Sequence, residues 1–594
     1  MLLTKLKVKN FRSFPPDLFT EIDLSCGINT IVGKNNVGKS SIFEAIKFWQ
    51  MDGGGSSSDR FKETPNEPSI VELNLKLSKA EINELFSPLL EDHPYKKEII
   101  DYQYQVFPLL RIIKRGNSLR ACFGPLEIIE TAIIKRTNEN SNGYATVRNW
   151  DRGLATDLRS LPLVKNIDEI LSRDLDKNNP AIVTRFNLMD IIQRFRNRIV
   201  VFPEFRYRPA GIDETITSSY DGSRLAAVLS TLRNGNSGQI RKFNSIAREF
   251  SAFYPSLSLD VRNPADSDPT VWIINQEIDF DVPIQKAGAG LSDFLVFLTH
   301  IIDKKDQVFC LDTIETHFHP HAQRKLIDLI EKYSEKNQFL IITHSPIMID
   351  STNLENITLV RKQKGQSTIF QIASDTFDQE DELKLIRYLS AEIKEIFFAD
   401  HVFIVEGPTE TSAFPILSNY LGYNFNTNNV SIIPVGGNHF STAIKLCIAL
   451  EIDYLAVCDK DALSRINGSI QCDSIRITCS PIVKTMYELG LLNGDIINLL
   501  KSGSSKIQDP DDASKKCYKD MVFNLLKQQA EKGRIHVLSN DFEGVLTEAG
   551  YGQYLDEVKL DRKPIIGRHV AYRIIENKDP VPEEIESILL YFRY

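Results

Sequence analysis

One octapeptide constrains this chain more than any other feature. Gly33-Lys34-Asn35-Asn36-Val37-Gly38-Lys39-Ser40 has the spacing of a phosphate-binding loop. The alternating, β-branched stretch Gly27 to Val32 precedes it and predicts a strand. The apolar-periodic stretch Ser41 to Trp49 follows it and predicts a helix. Strand, glycine loop and helix therefore occur in the order such a loop needs. Gly33 and Gly38 let backbone N–H groups wrap phosphates, with Asn35 and Asn36 in the wrapping segment. Lys39 reaches the β- and γ-phosphates, the Ser40 hydroxyl ligates Mg²⁺, and the helix opening at Ser41 adds its positive dipole end. The expected cofactors of this half are ATP and Mg²⁺.

Such a loop requires a carboxylate on a buried neighbouring strand. Val308-Phe309-Cys310-Leu311 is a short apolar run that ends in Asp312, and Glu315, His317 and His319 follow. A second buried run, Phe339 to Thr343, ends at His344, where a polar side chain senses a γ-phosphate. Packing or a metal pair are the ordinary explanations for His317 and His319. No third ligand at recognisable spacing favours the metal.

Composition narrows the class. A chain of 594 residues is too long for one core, and at about 150 residues per domain it suggests roughly four modules or fewer large ones. Lys+Arg 70 against Asp+Glu 79 leaves −9, which excludes a globally basic nucleic-acid coat but not local basic patches. Arg194, Arg196, Arg198, Arg206 and Arg208 form one such cluster, read either as a salt-bridged face or as a phosphate contact. The eight cysteines make no CxxC pair, so reduced thiols in a cytoplasmic protein are expected. No signal-peptide block opens the chain, and apolar runs such as Phe294 to Leu298 are too short to span a bilayer, so no membrane partner is expected.

The fold class expected is α/β. Leu2 to Phe14 reads as an edge strand and turn, and Ile70 to Leu77 as a strand. Gly53 to Ser58 reads as a flexible loop. A domain of residues 1–375, with a helical or dimerisation insertion around 150–260, would precede one of residues 376–594. The second shows strands Val402 to Val405, Ser431 to Pro434 and Tyr454 to Cys458, separated by helices from Thr409 and over Ser441 to Leu450. Residues 502–516 read as a mobile excursion.

The second half places acids after apolar strands. Val405 is followed by Glu406, and Glu410 comes one helical turn later. Cys458 is followed by Asp459 and Asp461, whose i, i+2 spacing at a strand end points both the same way. Ile535 to Leu538 leads to Asp541 and Glu543. Carboxylates at the C-terminal edges of neighbouring parallel strands converge on one crevice. Gathered acids repel unless a cation sits among them, and this all-oxygen set suits Mg²⁺ or Mn²⁺.

Residues 1 to about 370 resemble ABC-type ATPases of the SMC and RecF kind. Asn10-Phe11-Arg12-Ser13-Phe14 is typical of that group, and Asp312 to Pro320 is similar to its D-E-P-E-x-H-L-H-P pattern. Gly288-Ala289-Gly290-Leu291-Ser292 stands where the ABC signature belongs. The resemblance implies two heads sandwiching ATP, hence a homodimer or higher even-numbered assembly. Two positions depart from the pattern. Thr313 replaces the catalytic Glu and cannot act as a general base, and Ala289 replaces a serine. Slow or lost hydrolysis is the expectation, unless Glu315 or His344 substitutes.

Residues from about 390 to 594 resemble a Toprim domain, with Glu406 as the strand-end Glu and Asp459 and Asp461 as the DxD. Glu395 to Ala399 together with Val405 to Glu410 is close to one family in particular. The whole organisation resembles the OLD (overcoming lysogenization defect) nucleases. That resemblance implies a DNA endonuclease with Glu406, Asp459, Asp461 and Lys563 as its catalytic residues. It also implies Glu406, Glu410, Asp459, Asp461, Asp541 and Glu543 as metal ligands, with Ser539 a weaker candidate. Members commonly act in bacterial anti-phage systems, which implies a partner component, either protein or retron nucleic acid. Two other readings stay open: an ATP-binding sensor or scaffold whose nuclease half needs a partner, and a repair ATPase of the RecF type with dispensable C-terminal acids.

Overall fold

The computed structural model describes the chain apart from residues 51–58, 62–66, 87–96, 98–108, 117, 124–125, 130–192, 203–223, 264–267, 279, 350–352, 374–375, 378–392, 437–438, 464–467, 473–474, 507–511, 559–562 and 594. The expected loop at Gly53 to Ser58, the first part of the expected insertion, and Arg206 and Arg208 lie outside the described residues. Two compact units emerge, Met1–Gln371 and Ile372–Tyr594.

In the first unit, β1 (Leu2–Lys9), β2 (Thr20–Asp23) and β3 (Ile28–Val32) lead into α1 (Lys39–Gln50). One described sheet is antiparallel. Its order is β2-β1-β4-β5-β6-β7, with β4 at Ile70–Lys76, β5 at Leu109–Arg115, β6 at Ser118–Phe123 and β7 at Leu126–Ile129. This corrects the expected position of the opening strand. β1 is interior, because β2 pairs along one side of it and takes the edge. Its alternation reports one buried face rather than an edge.

The second sheet runs β15-β14-β3-β13-β12-β8, where β8 is Ile199–Phe202, β12 Val308–Asp312, β13 Gln338–Ile342, β14 Ile357–Gln363 and β15 Gln366–Gln371. Its four pairings from β14 to β8 are parallel, and only β15 returns antiparallel. Continuous apolar sequence in β12 and β13 follows from cover on both faces. Successive side chains serve different cores. Ile199, Val201, Val308, Cys310, Leu340 and Ile342 pack with Phe43, Ile46 and Trp49 of α1. Val200, Phe202, Phe309, Leu311, Phe339 and Ile341 pack on the other side with α2 (Ser237–Phe253), α3 (Ala289–Ile301) and α4 (Pro320–Ser334). Each such large apolar side chain contributes about 1.5–3 kcal/mol on burial. The two cores therefore hold the sheet from both sides and fix the strand ends that carry Gly33, Asp312 and His344. A small antiparallel sheet, β11-β10-β9, adds β9 (Leu257–Arg262), β10 (Thr270–Asn275) and β11 (Phe280–Pro283).

The second unit is built on four parallel strands in the order β17-β16-β18-β21. They are β16 (His401–Val405), β17 (Val430–Pro434), β18 (Asp453–Cys458) and β21 (Ile535–Val537). A hairpin, β19 (Gly468–Cys472) and β20 (Ile475–Cys479), lies between β18 and β21 in sequence. Phe403, Val405, Leu455 and Val457 share a core with Phe414 and Leu417 of α5 (Pro408–Tyr420), Ile574 of α8 (Lys563–Asn577) and Ile585 and Leu589 of α9 (Glu583–Leu589). Of the expected excursion at 502–516, residues 507–511 lie outside the described residues, and the rest is helical rather than loop. Residues up to 506 end the helix α6 (Gly494–Lys506), and Asp512 opens the 21-residue helix α7 (Asp512–Lys532). Gly and Ser there are overridden by the helix around them, as weak propensities are. Among the described residues no helix is long and apolar enough to cross a membrane.

Candidate functional site

The nucleotide loop is shaped by what stands against it. Gly33 has φ +136, and a Cβ there would lie 2.2 Å from the carbonyl oxygen of Val360 in β14. Gly38 has φ +103, and its Cβ would meet Ser367 Oγ at 2.3 Å and Ser13 Oγ at 2.4 Å. Any side chain at either position forces the loop open. Ser367 Oγ–H donates to the Val37 carbonyl, so the β14–β15 hairpin clasps the loop. Asn36 also takes a left-handed conformation, φ 63. Asn35, Asn36 and Ser40 are exposed and Ser41 half-buried, while Lys39 is buried. Its ammonium donates to the carbonyls of Gly33, at 2.8 Å, and Lys34. Burial pushes the Lys39 pKa down to about 8, against the opposing pull of Asp312 and Glu315.

Asp312 ends β12, as the loop requires. Glu315 is 5% exposed, and its Oε1 accepts from Thr343 Oγ1 at 2.6 Å and from the His344 backbone N–H at 3.0 Å. This bond ties the turn after β12 to the end of β13. His344 is half-buried, and burial together with the charge of Lys39 lowers its pKa. Thr313 sits at φ 44, a strained setting for a β-branched residue, with its hydroxyl buried and without a hydrogen-bond partner among the described residues. Gly288 caps α3, and the Gly290 Cβ would lie 2.8 Å from the His317 carbonyl oxygen. The signature segment therefore packs on the turn after β12. His317 Nδ1 pairs with Asp293 at 2.7 Å, and His319 caps α4 by accepting from the Ala322 N–H. Both histidines thus have structural partners, and neither belongs to a metal-holding group among the described residues. In the arginine cluster, Arg194 pairs with Glu84, and Arg198 with Glu81 at 2.6 Å.

In the second unit the strand edges gather acids. Glu406 follows β16 and Asp459 follows the adjacent strand β18. Ligand oxygens of Glu406, Asp459 and Asp461 lie within 4.8 Å of one another. The reason differs from the one read in the sequence. Strand alternation has ended by then, and Asp461 sits in a 3₁₀ turn, Lys460–Leu463. The Lys460 N–H donates to the Asn540 carbonyl at 3.3 Å, which draws the loop after β21 alongside. Glu410, in the first turn of α5, is 4% exposed. Asp541 caps the short helix Phe542–Leu546 through Gly544 N–H at 2.7 Å, and Glu543 Oε1 accepts from Thr409 Oγ1 at 3.0 Å.

Burial first, and then the charges of Glu406, Glu410, Asp461 and Asp541, push Asp459 up to about 7. Its Oδ1 is buried without a hydrogen-bond partner among the described residues. An uncompensated acid group of this kind is what a cation site looks like without its ion. Lys563 opens α8, and its side chain lies outside the described residues. The helix itself is tightly placed, since a Cβ on Gly567 would lie 2.3 Å from the Thr409 carbonyl oxygen.

Glu584 is a residue the sequence reading missed. From α9 its carboxylate accepts from Ser539 Oγ at 2.6 Å, from the Ser539 N–H at 3.0 Å and from His536 Nε2 at 3.2 Å. Ser539 therefore has a partner that anchors the acid-bearing loop after β21. No local signal marks Glu584, which is one of several acids in a helix 45 residues downstream of Ser539.

Comparison with known proteins agrees with this architecture. Residues 397–461 match the family model described as the Toprim domain of proteins like the overcoming lysogenization defect protein. Two AAA-domain models match residues 5–204 and 134–350. An OLD nuclease of Thermus scotoductus is 25% identical over 34% of this chain and 40% of its own length. An endonuclease GajA of Bacillus cereus is 22% identical over 98% of this chain and 92% of its own. A GajA from another strain of that organism aligns over 31% and 32%, so for two of these relatives the match spans well under half of their length. Among solved structures, the SMC head domain from Thermotoga maritima covers 63% of this chain and 100% of its own, at 17% identity and a TM-score of 0.31. The chain thus joins an AAA-type ATPase region to an OLD-like Toprim domain, and the resemblance read from the sequence stands.

Proposed function

We propose that this protein is an ATP-regulated, Mg²⁺-dependent DNA endonuclease of the OLD kind. One observation carries the reading: Glu406, Asp459 and Asp461, brought from two neighbouring strand edges, offer oxygens within 4.8 Å of one another. These three would hold one ion. Glu410 and Asp541, close enough to raise Asp459, and Glu543 would serve a second. Bound Mg²⁺ or Mn²⁺ supplies charge for the attacking and leaving oxygens of a phosphodiester. The chain's own part is to fix the acids. β16 and β18 set the spacing of Glu406 and Asp459, the Lys460–Asn540 bond holds the loops together, and Thr409 orients Glu543. Lys563 is assigned to offset negative charge on the phosphate.

In the first unit, Gly33, Asn35, Asn36, Gly38, Lys39, Ser40 and Ser41 would take ATP, with Asp312 and His344 at its phosphate end. ATP binding would gate the nuclease through pairing of two heads, in a homodimer or higher even-numbered assembly. Thr313 offers no proton acceptor, so hydrolysis is weak. The relatives named OLD nuclease and GajA support a role on DNA, which we extend to anti-phage defence in the cytoplasm. Domain limits of 1–375 and 376–594 fit this division of labour.

Thr313 and Ala289 favour one second reading, a sensor whose nuclease half awaits a partner protein or retron nucleic acid. Purified protein with plasmid, Mg²⁺ and ATP separates the two. Cutting that disappears in Asp459→Ala supports the nuclease. Inertness relieved only by another component supports the sensor. Cutting that survives in Asp459→Ala refutes the metal site.

A further inference from the structure

We infer that Glu584 is a positioning residue for the second metal ion, acting through Ser539 on Asp541. The inference rests on the nuclease reading and deepens it, by naming the contact that sets the second ion's geometry.

Glu584 stands in the first turn of α9, next to Glu583. Acids are ordinary at such a place, because the helix dipole favours them, and the exposed Glu583 fits that explanation. Glu584 is instead half-buried, and four contacts meet its two oxygens. Oε1 accepts from the Ser539 N–H at 3.0 Å and from His536 Nε2 at 3.2 Å. Oε2 accepts from Ser539 Oγ at 2.6 Å and from the same N–H at 3.3 Å. An ionised carboxylate offers about four lone-pair sites. Those of Glu584 are engaged by the protein, so it holds a loop rather than an ion.

That loop is clamped from two sides, residue by residue. The Leu538 N–H donates to the Cys458 carbonyl at 3.0 Å, and the Asn540 carbonyl accepts from the Lys460 N–H at 3.3 Å. Both contacts reach the strand end that carries Asp459 and Asp461. Ser539, between them, is bonded instead to α9. This helix is a firm support. Ile585, Ile588 and Leu589 are buried in one core with Val405 of β16 and Val457 of β18. The strands that seat the first ion therefore also seat Glu584.

Asp541 is the acid that depends on this clamp. Glu543 has its own tie, to Thr409, and Glu410 belongs to α5. Asp541 lies two residues beyond Ser539, at most about 7 Å of extended chain, so a displaced Ser539 displaces it. Mg²⁺ demands near-ideal octahedral geometry at about 2.0–2.1 Å, so a small shift of one ligand loosens the ion.

The contact also separates position from charge. In Glu584→Gln the amide oxygen keeps the two bonds of Oε1. The Ser539 hydroxyl, which accepts as well as donates, takes a hydrogen from the amide nitrogen. Glutamine thus holds the loop without the charge, and alanine does not hold it.

The test counts Mn²⁺ bound to the nucleotide-free, full-length protein by electron paramagnetic resonance, which reads the free ion. Wild type is expected to bind two ions per chain. Glu584→Ala is expected to weaken one of them about 10–100-fold, as loss of a contact behind a ligand does, and to leave the other unchanged. Glu584→Gln is expected to bind both as wild type does. In an Asp541→Ala background, Glu584→Ala is expected to remove nothing further, because it acts through that acid. Ser539→Ala is expected to weaken the same ion to a smaller degree, and it carries the test if Glu584→Ala does not fold. Unchanged binding of both ions in the alanine variants, equal loss of both, a further loss in the Asp541→Ala background, or a Gln variant that behaves as Ala overturns the positioning role and leaves the nuclease reading standing. A wild type that binds a single ion overturns the role together with the second ion. A wild type that binds no Mn²⁺ overturns the metal-dependent nuclease itself.

Discussion

Single residues decide the chemistry of both halves. Asp459, in the proposed metal site, is raised to about 7 mainly by burial and then by four neighbouring carboxylates. Its folded pKa lies above the unfolded value. The metal-free fold therefore binds the extra proton, and stability falls as pH rises from about 4 through 7. A melting series in EDTA is expected to show that decline. Mn²⁺ should raise the melting temperature more at pH 8 than at pH 5, and Asp459→Asn should flatten both effects. A metal-free melting temperature that climbs between pH 5 and 8, with no cation dependence, contradicts the assignment. In the other half the proposed weak hydrolysis turns on Thr313. Thr313→Glu restores a proton acceptor at the end of β12, and a gain of at least about 10-fold in ATP turnover is expected, since general bases contribute about 10²–10⁴. A wild-type rate already ordinary for such ATPases, unchanged in the variant, would show that Glu315 or His344 does the work.

Elements put those residues in place, and here sequence and structure part company instructively. The P-loop was legible because its glycines answer to local demands, the φ of Gly33 and the approach of Val360. β12, β13, β16 and β18 were legible because strands covered on both faces must be apolar throughout. Asp461 reached the site for another reason than strand alternation, because a 3₁₀ turn carries it there. Glu584, the clasp of Ser367 on Val37 and the fit of Gly567 on Thr409 join segments far apart in the chain, and no spacing rule reports such contacts. The Gly567 fit makes a prediction for an element. Gly567→Ala pushes α8 off α5, because the obstacle is a backbone carbonyl and not a yielding side chain. Overpacking of this kind costs about 1–3 kcal/mol. A lowered melting temperature and slower cutting are expected, whereas wild-type melting would show that the helices are not so close.

For the whole molecule the account joins a nucleotide-binding unit to a metal-dependent one on a single chain. If ATP acts by gating, removing its grip must remove its effect. Lys39→Ala is expected to abolish ATP binding and to make plasmid cutting indifferent to ATP, while Mn²⁺ binding stays intact. Sedimentation should show ATP shifting the wild type, and not Lys39→Ala, toward larger even-numbered assemblies. An ATP response that persists in Lys39→Ala places the regulation elsewhere. The most direct test of the central claim is an anomalous difference map from Mn²⁺-soaked crystals of the protein with DNA. The account predicts density bracketed by Glu406, Asp459 and Asp461, with the scissile phosphate against it. A map with no peak among these carboxylates at saturating Mn²⁺ would contradict it.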